Sequence, residues 1–261
     1  MDKASLGGIL LAIGGIVAGL LLEGGNLGQV VQPTAAMIVF GGTMGAVLLQ
    51  FPLSVVGDAF LRLGSVFRGP KTNAGDMIGR LVHYAQKARR EGIVSLDSDL
   101  QEITDPFLKK SLMLAVDGTE PDELRKIMEF ELNNQAEFEE RAPQVFEAAG
   151  GFAPTIGIIG AVLGLIQVMQ HLDKIDEVGR GIAVAFVATI YGVGSANLLY
   201  LPIAGKMKLR IREEQIAHEM TLEGVVSILE GMNPHMLETK LLGFLADAES
   251  NGAKQAEAGP S

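Results

Sequence analysis

The chain has 261 residues, no cysteine, 48% hydrophobic positions and a mean hydropathy of +0.30, yet 20% of its residues are charged. The missing cysteines exclude a disulfide framework, a Cys-based zinc site and thiol chemistry. The net charge of −10 excludes a nucleic-acid binder, which needs a basic surface to neutralise phosphates.

Apolar and charged residues are segregated along the chain. Four stretches contain no Asp, Glu, Lys or Arg: Ala4 to Leu22, a second inside Gly24 to Gly57, Ala148 to Leu172, and Gly181 to Gly205. Each is long enough to cross a bilayer core, which takes about 20 apolar residues. A soluble fold can bury one helix without a polar face, but four predict an all-α integral membrane protein with four transmembrane helices. The first stretch follows Lys3 but is longer than the h-region of a secretory signal, and Glu23 with two glycines leads straight into the second. It is therefore expected to stay in the mature protein.

Lys and Arg positions set the expected orientation. Residues 23–34 carry none, whereas 58–147 carry Arg62, Arg68, Lys71, Arg80, Lys87, Arg89, Arg90, Lys109, Lys110, Arg125, Lys126 and Arg141. The tail opens with Lys206, Lys208, Arg210 and Arg212. Both termini and the middle segment are thus expected in the cytoplasm, with two short loops outside, although the loop 173–180 holds Lys174 and Arg180. The resulting organisation is 1–57, spans one and two; 58–147, a cytoplasmic helical domain; 148–205, spans three and four; and 206–261, a cytoplasmic helix and flexible tail.

Helical spacing runs through MIGRLVHYAQKARREG and ELRKIMEFELNNQAEFEERA in the middle segment. Arg68-Gly-Pro-Lys-Thr-Asn is a break, Glu91-Gly92 ends a helix with Gly in the capping role, and Asp105-Pro106 and Gly118 through Asp122 mark two further breaks. KMKLRIREEQIAHEMTLEGVVSILEGM reads as one helix stopped at Asn233-Pro234, and SNGAKQAEAGPS as disorder.

The spans are rich in small-xxx-small pairs such as Gly15/Gly19, Gly41/Gly45 and Gly160/Gly164, which let helix backbones approach in lipid. Span three contains Pro154 and Thr155, and span four contains Thr189 and Pro202. Entering from and returning to the same side, the two spans should hold Pro154 and Pro202 at similar depth. Each proline deletes a hydrogen bond, freeing a carbonyl near Gly150 and near Leu198. The bland reading is two ordinary kinks; the functional one is a paired hinge beside a polar path. Apart from tyrosines, His171 is the one titratable side chain in the spans, at the outer end of the third. A transmembrane proton relay needs a carboxylate that this chain does not place in lipid, so ion conduction would require one from a partner subunit.

FEAAGGFAPTIGIIGAVLGLIQVMQHL and IAVAFVATIYGVGSANLLYLPIAGKMK, together with PTAAMIVFGGTMGAVLLQFPL, ARREGIVSLD and EGMNPHMLETKLLGFL, resemble the MotA/TolQ/ExbB proton-channel family. The likeness is to its MotA/PomA branch, the A subunits of flagellar motor stators, and covers nearly the whole chain. It implies an inner-membrane homopentamer around two copies of a B subunit, whose Asp carries the ion, with cytoplasmic charges acting on the rotor switch complex. The family's prolines fall on Pro154 and Pro202. Its rotor-facing charges fall on Arg89 and on Asp97, where the family pattern has Glu, with Arg90 beside them. Sodium-driven relatives carry Thr where this chain has Ala161, while Thr189 occurs in both kinds. Protons are therefore the expected ion and Na⁺ the alternative, with Thr155 also assigned to the path.

The competing readings are a TolQ/ExbB-type energiser of outer-membrane transport, which has three spans, and a solute transporter, which an absent inverted repeat and few spans disfavour. A plain scaffold leaves Pro154, Thr189 and Pro202 without a role. No metal cluster, phosphate-binding Gly loop or nucleophile arrangement points to an enzyme or a bound cofactor.

Overall fold

The computed structural model describes residues 3–66 and 74–257, so the expected break at 68–73 lies outside the described residues. Every regular element among them is helical. Three stretches, Leu27–Gln50, Pro121–Gln170 and Ile175–Leu229, are long and apolar enough to cross a membrane, and Gly7–Leu22 is a shorter apolar helix. The chain divides into two compact units, Met1–Gly69 with Glu139–Arg210, and Pro70–Phe138 with Ile211–Ser261.

The first unit starts with α1 (Lys3–Leu22). Gly24, at φ +79°, turns the chain into a 3₁₀ segment, Leu27–Val30, whose Asn26 and Gln29 form a reciprocal capping box. Pro33 opens α2 (Pro33–Ala36), a π turn (Met37–Gly41) follows, and α3 (Gly42–Gln50) completes the helix. Pro52 forces Phe51 into an extended conformation, which ends α3 before α4 (Leu53–Val66).

The second unit begins with α5 (Ala74–Glu91), which ends at Gly92, φ +84°. A 3₁₀ segment, Ile93–Asp99, leads to α6 (Pro106–Val116), where Asp105 accepts from the amides of Phe107 and Leu108. Gly118, φ +80°, precedes α7 (Pro121–Gln170). α8 (Ile175–Ser195), a π turn (Ala196–Tyr200) and α9 (Leu201–Leu229) follow without a loop between them. α9 gives way to α10 (Pro234–Glu257) across Asn233, whose side chain accepts from the His235 amide. Most of the tail expected to be disordered therefore continues α10, and 258–261 lie outside the described residues.

The sequence treats 58–147 and 206–261 as separate segments; in the structure, parts of both build the second unit. Its core joins Met77, Leu81 and Tyr84 of α5 with Leu108 and Leu112 of α6, Leu124 and Met128 of α7, Val225 and Val226 of α9, and Leu237 and Leu241 of α10. The physical reason is that an amphipathic helix must bury its apolar stripe against something. Gly224 lets α9 approach closely: a Cβ there would lie 2.7 Å from Leu81.

Candidate ion path and rotor-facing site

Spans three and four meet along glycine. A Cβ built on Gly157 would lie 2.9 Å from the Ala188 carbonyl oxygen, one on Gly164 would lie 2.8 Å from that of Gly181, and one on Gly192 would lie 2.5 Å from that of Ala153. Backbone therefore touches backbone, the arrangement that small residues permit in lipid. Span two packs on one side of this pair, with Gly42 against Ile156, and Ala35 and Val39 in a cluster with Val187 and Ala188.

This register locates the candidate residues. Successive residues of a helix turn by about 100°. On two antiparallel helices, the residues just after the contact positions therefore project to the same side of the pair. Ala161 follows Gly160, and Thr189 follows Ala188, the residue that Gly160 meets. Pro154 follows Ala153, which meets Gly192, and Pro202 follows Leu201, which meets Gly150. Pro154, Ala161, Thr189 and Pro202 thus share the side opposite the residues that face span two. The first three are half-buried and Pro202 is exposed. Thr155 is turned away from α8 and is exposed. Both threonine hydroxyls donate within their own helix, Thr155 to the Phe152 carbonyl at 2.8 Å and Thr189 to the Ala185 carbonyl at 3.2 Å. Each keeps an oxygen lone pair for a passing ion or water.

The two prolines do not stand at one depth, contrary to the sequence expectation. Gly157 faces Gly192 and Gly150 faces Leu201. Pro154 is therefore level with the Ser195–Ala196 region and Pro202 with the Ala149 region, about 8 Å apart at about 1.5 Å per residue. What coincides is the damage they do. The turns they interrupt, 150–154 and 198–202, overlap in level. The π turn Ala196–Tyr200, in which the Leu201 amide reaches back to the Ala196 carbonyl, lies within the same section. Proline residues and a widened turn thus concentrate weak backbone hydrogen bonding in one cross-section of both spans.

Tyr191 is the residue that sequence reasoning passed over. Its hydroxyl donates to the Val30 carbonyl at 2.6 Å and accepts from the Gln32 amide at 3.3 Å, and its ring stacks on Phe40. A phenol in the middle of an apolar window was the available signal, since buried tyrosine hydroxyls find partners. His171, expected at an outer boundary, is the first residue after α7, where Nδ1 lies 3.0 Å from the Gln167 carbonyl and Nε2 3.3 Å from Glu177. At the other end of the spans, Lys208 pairs with Glu147 at 2.6 Å and Arg62 with Asp58 at 2.8 Å.

The expected rotor-facing residues lie in the second unit, at the end of α5 and in the segment that follows it. Arg89 and Arg90 occupy the last turn of α5, favourable for cations at a helix C-terminus, and Asp97 sits in the 3₁₀ segment after the Gly92 reversal. All three are exposed, and none makes an ion pair among the described residues. Elsewhere in this unit, Glu223 bonds both Arg125, at 2.8 Å, and Lys240. Burial pushes the Glu223 pKa up, but these two hydrogen bonds outweigh it and hold the carboxyl below its ordinary value. Among the described residues, no cluster of three or more His, Asp or Glu could hold a metal ion.

The sequence pattern of the MotA/TolQ/ExbB proton channel family matches residues 99–220, and that of the motility protein A N-terminal region matches 6–92. The chain is 36% identical to motility protein A of Bacillus subtilis (strain 168), over 99% of its own length and 96% of the relative's. The structure of the flagellar MotAB stator complex from Bacillus subtilis is similar at a TM-score of 0.88 and 36% identity, covering 97% of this chain and 100% of that one. The structure of C. jejuni MotAB is similar at 0.89 and 32% identity, with 94% and 96% covered. Matched from end to end by motility proteins and by stator structures, the chain belongs to the MotA/TolQ/ExbB proton channel family, on its branch of flagellar stator A subunits.

Proposed function

We propose that the chain spans the bacterial inner membrane four times with both termini in the cytoplasm. Five copies surround two copies of a B subunit, and together they convert ion flow into torque. The observation that carries this reading is the side of the span three and four pair that faces away from span two. It carries Pro154 and Pro202 at the weakened section of backbone and Ala161 and Thr189 at a level further along the pair, and no carboxylate of this chain lies within those spans. A partner helix seated there supplies the missing Asp, and its proton transfer can work against a hinge that is already soft. The relatives solved as MotAB complexes support a B-type partner.

The first apolar helix, Gly7–Leu22, is the fourth span, with Lys3 on its cytoplasmic side. Arg89, Arg90 and Asp97 meet complementary charges on the rotor switch ring, which gives steering and register. The transported ion is the proton, because Ala161 offers no oxygen where a hard cation such as Na⁺ needs one. Covalent catalysis has no part in this reading, and no cofactor is needed. A TolQ/ExbB-type role is disfavoured by the match at 6–92 to the motility protein A N-terminal region.

The test is Pro154→Leu in a stator-deleted strain supplied with the cognate B subunit. Leucine restores the amide donor for the Gly150 carbonyl and preserves apolar length. The variant should reach the membrane with its partner at the normal level and should not support swimming. Wild-type swimming would overturn the hinge.

A further inference from the structure

The turn between α5 and the 3₁₀ segment contains a second pair of opposite charges, largely withdrawn from solvent. The Lys87 ammonium donates to both oxygens of Asp99, at 2.8 and 2.9 Å, and to the Ser98 hydroxyl at 3.1 Å. Both side chains of the pair are about three-quarters buried, at 22% and 25% exposure. The tie closes over the Gly92 reversal, from the last turns of α5 to the end of the 3₁₀ segment. Short side-chain bonds brace the interior of the turn, Ser95 to the Gly92 carbonyl at 2.7 Å and Ser98 to the Ser95 carbonyl at 3.0 Å. Leu96, fully buried, anchors the turn in the core.

The placement is symmetric about the reversal. Lys87 stands two residues before Arg89, and Asp99 two residues after Asp97. A 3₁₀ segment of this length is marginal on its own hydrogen bonds. The cross-link therefore sets how far apart the exposed cation and anion sit. We propose that Lys87 and Asp99 are positioning residues of the rotor-facing surface: their ion pair holds Arg89 and Asp97 at the spacing that the partner reads. This inference rests on the rotor-contact reading of Arg89 and Asp97. Because both side chains are largely buried, removing one partner leaves the other poorly paired and lowers stability somewhat, whereas the exchanged pair keeps both charges and so separates that cost from the loss of spacing.

The experiment uses full-length stators with the cognate B subunit in stator-deleted cells that carry a compatible rotor. It compares Lys87→Met, Asp99→Asn and the exchanged pair Lys87→Glu with Asp99→Lys, alongside Arg89→Glu and Asp97→Lys. Motor occupancy by a fluorescent stator and stall torque are measured on tethered cells, and the thermal midpoint is measured on the purified complex. The single changes at 87 and 99 should cause a several-fold loss of occupancy and torque while the midpoint falls by no more than about 4 °C. The exchanged pair should restore most of both, because the tie is remade with its signs reversed. If Lys87 itself touched the rotor, reversing its sign would deepen the loss, and failure of the exchange to rescue would overturn the proposal. A fall in midpoint matching the loss of torque would also overturn it, as a matter of folding. Wild-type behaviour of the variants at 87 and 99, with Arg89→Glu and Asp97→Lys impaired, would sink the tie and leave the rotor surface standing. Wild-type behaviour of all would remove the rotor surface itself.

Discussion

The contact between spans three and four depends on single atoms. An added Cβ at Gly192 would lie 2.5 Å from the Ala153 carbonyl oxygen and 3.0 Å from the Gly157 Cα, both backbone atoms that cannot swing aside. Gly192→Ala should therefore overpack the pair at a cost of about 1–3 kcal/mol. It should lower both the membrane-inserted amount and the thermal midpoint in detergent. Gly194→Ala is the control, since a Cβ there meets nothing within 4 Å. Membrane-fraction immunoblots and circular-dichroism melts separate the two, and equal behaviour would contradict the register from which the shared side of Pro154, Ala161, Thr189 and Pro202 was derived.

At the scale of elements, Glu223 of α9 joins α7 through Arg125 and α10 through Lys240. Its carboxyl pKa is lowered from 4.5 in the folded chain, since the two hydrogen bonds outweigh burial. A depressed folded pKa gives a stabilisation that is complete above the unfolded value and is lost as pH falls through the folded one. Glu223→Gln should cost about 1 kcal/mol at neutral pH and should flatten the decline of the thermal midpoint in acid. Parallel acid profiles for the two proteins would contradict the linkage.

The helix boundaries were legible in the sequence where chemistry is local. Gly92 and Gly118 at positive φ, Asp105 capping ahead of Pro106, and Asn233 before Pro234 all stand where their residue types place them. Proline inside a helix was legible at Pro154, which was read as lying within span three, but the length of the helix around it was not. Pro143 and Pro154 both sit within α7, because packing along a helix of 50 residues outweighs the loss of single backbone bonds. Phe51-Pro52 does break a helix, inside a window that hydropathy alone treats as uniform. The two π turns, the clasp of Tyr191 on residues 30 and 32, and the offset between Pro154 and Pro202 are tertiary facts. They follow from which glycine meets which backbone atom, and no periodicity within one span records that. The candidate residues were therefore legible as types, whereas the side of the helix pair that they share became visible only with the register.

At the scale of the whole molecule, the chain supplies a glycine-packed pair of spans that holds no carboxylate, and a charged turn after α5 in the second unit. It is built as one half of an ion-driven machine. The direct test expresses this chain with its cognate B subunit in a stator-deleted bacterium and records swimming speed while external sodium is varied and a protonophore is added. Swimming should return, stay indifferent to sodium and stop with the protonophore. Strict dependence on sodium would contradict the assignment drawn from Ala161. Failure to swim, despite membrane assembly with the B subunit and a compatible rotor, would contradict the stator function itself.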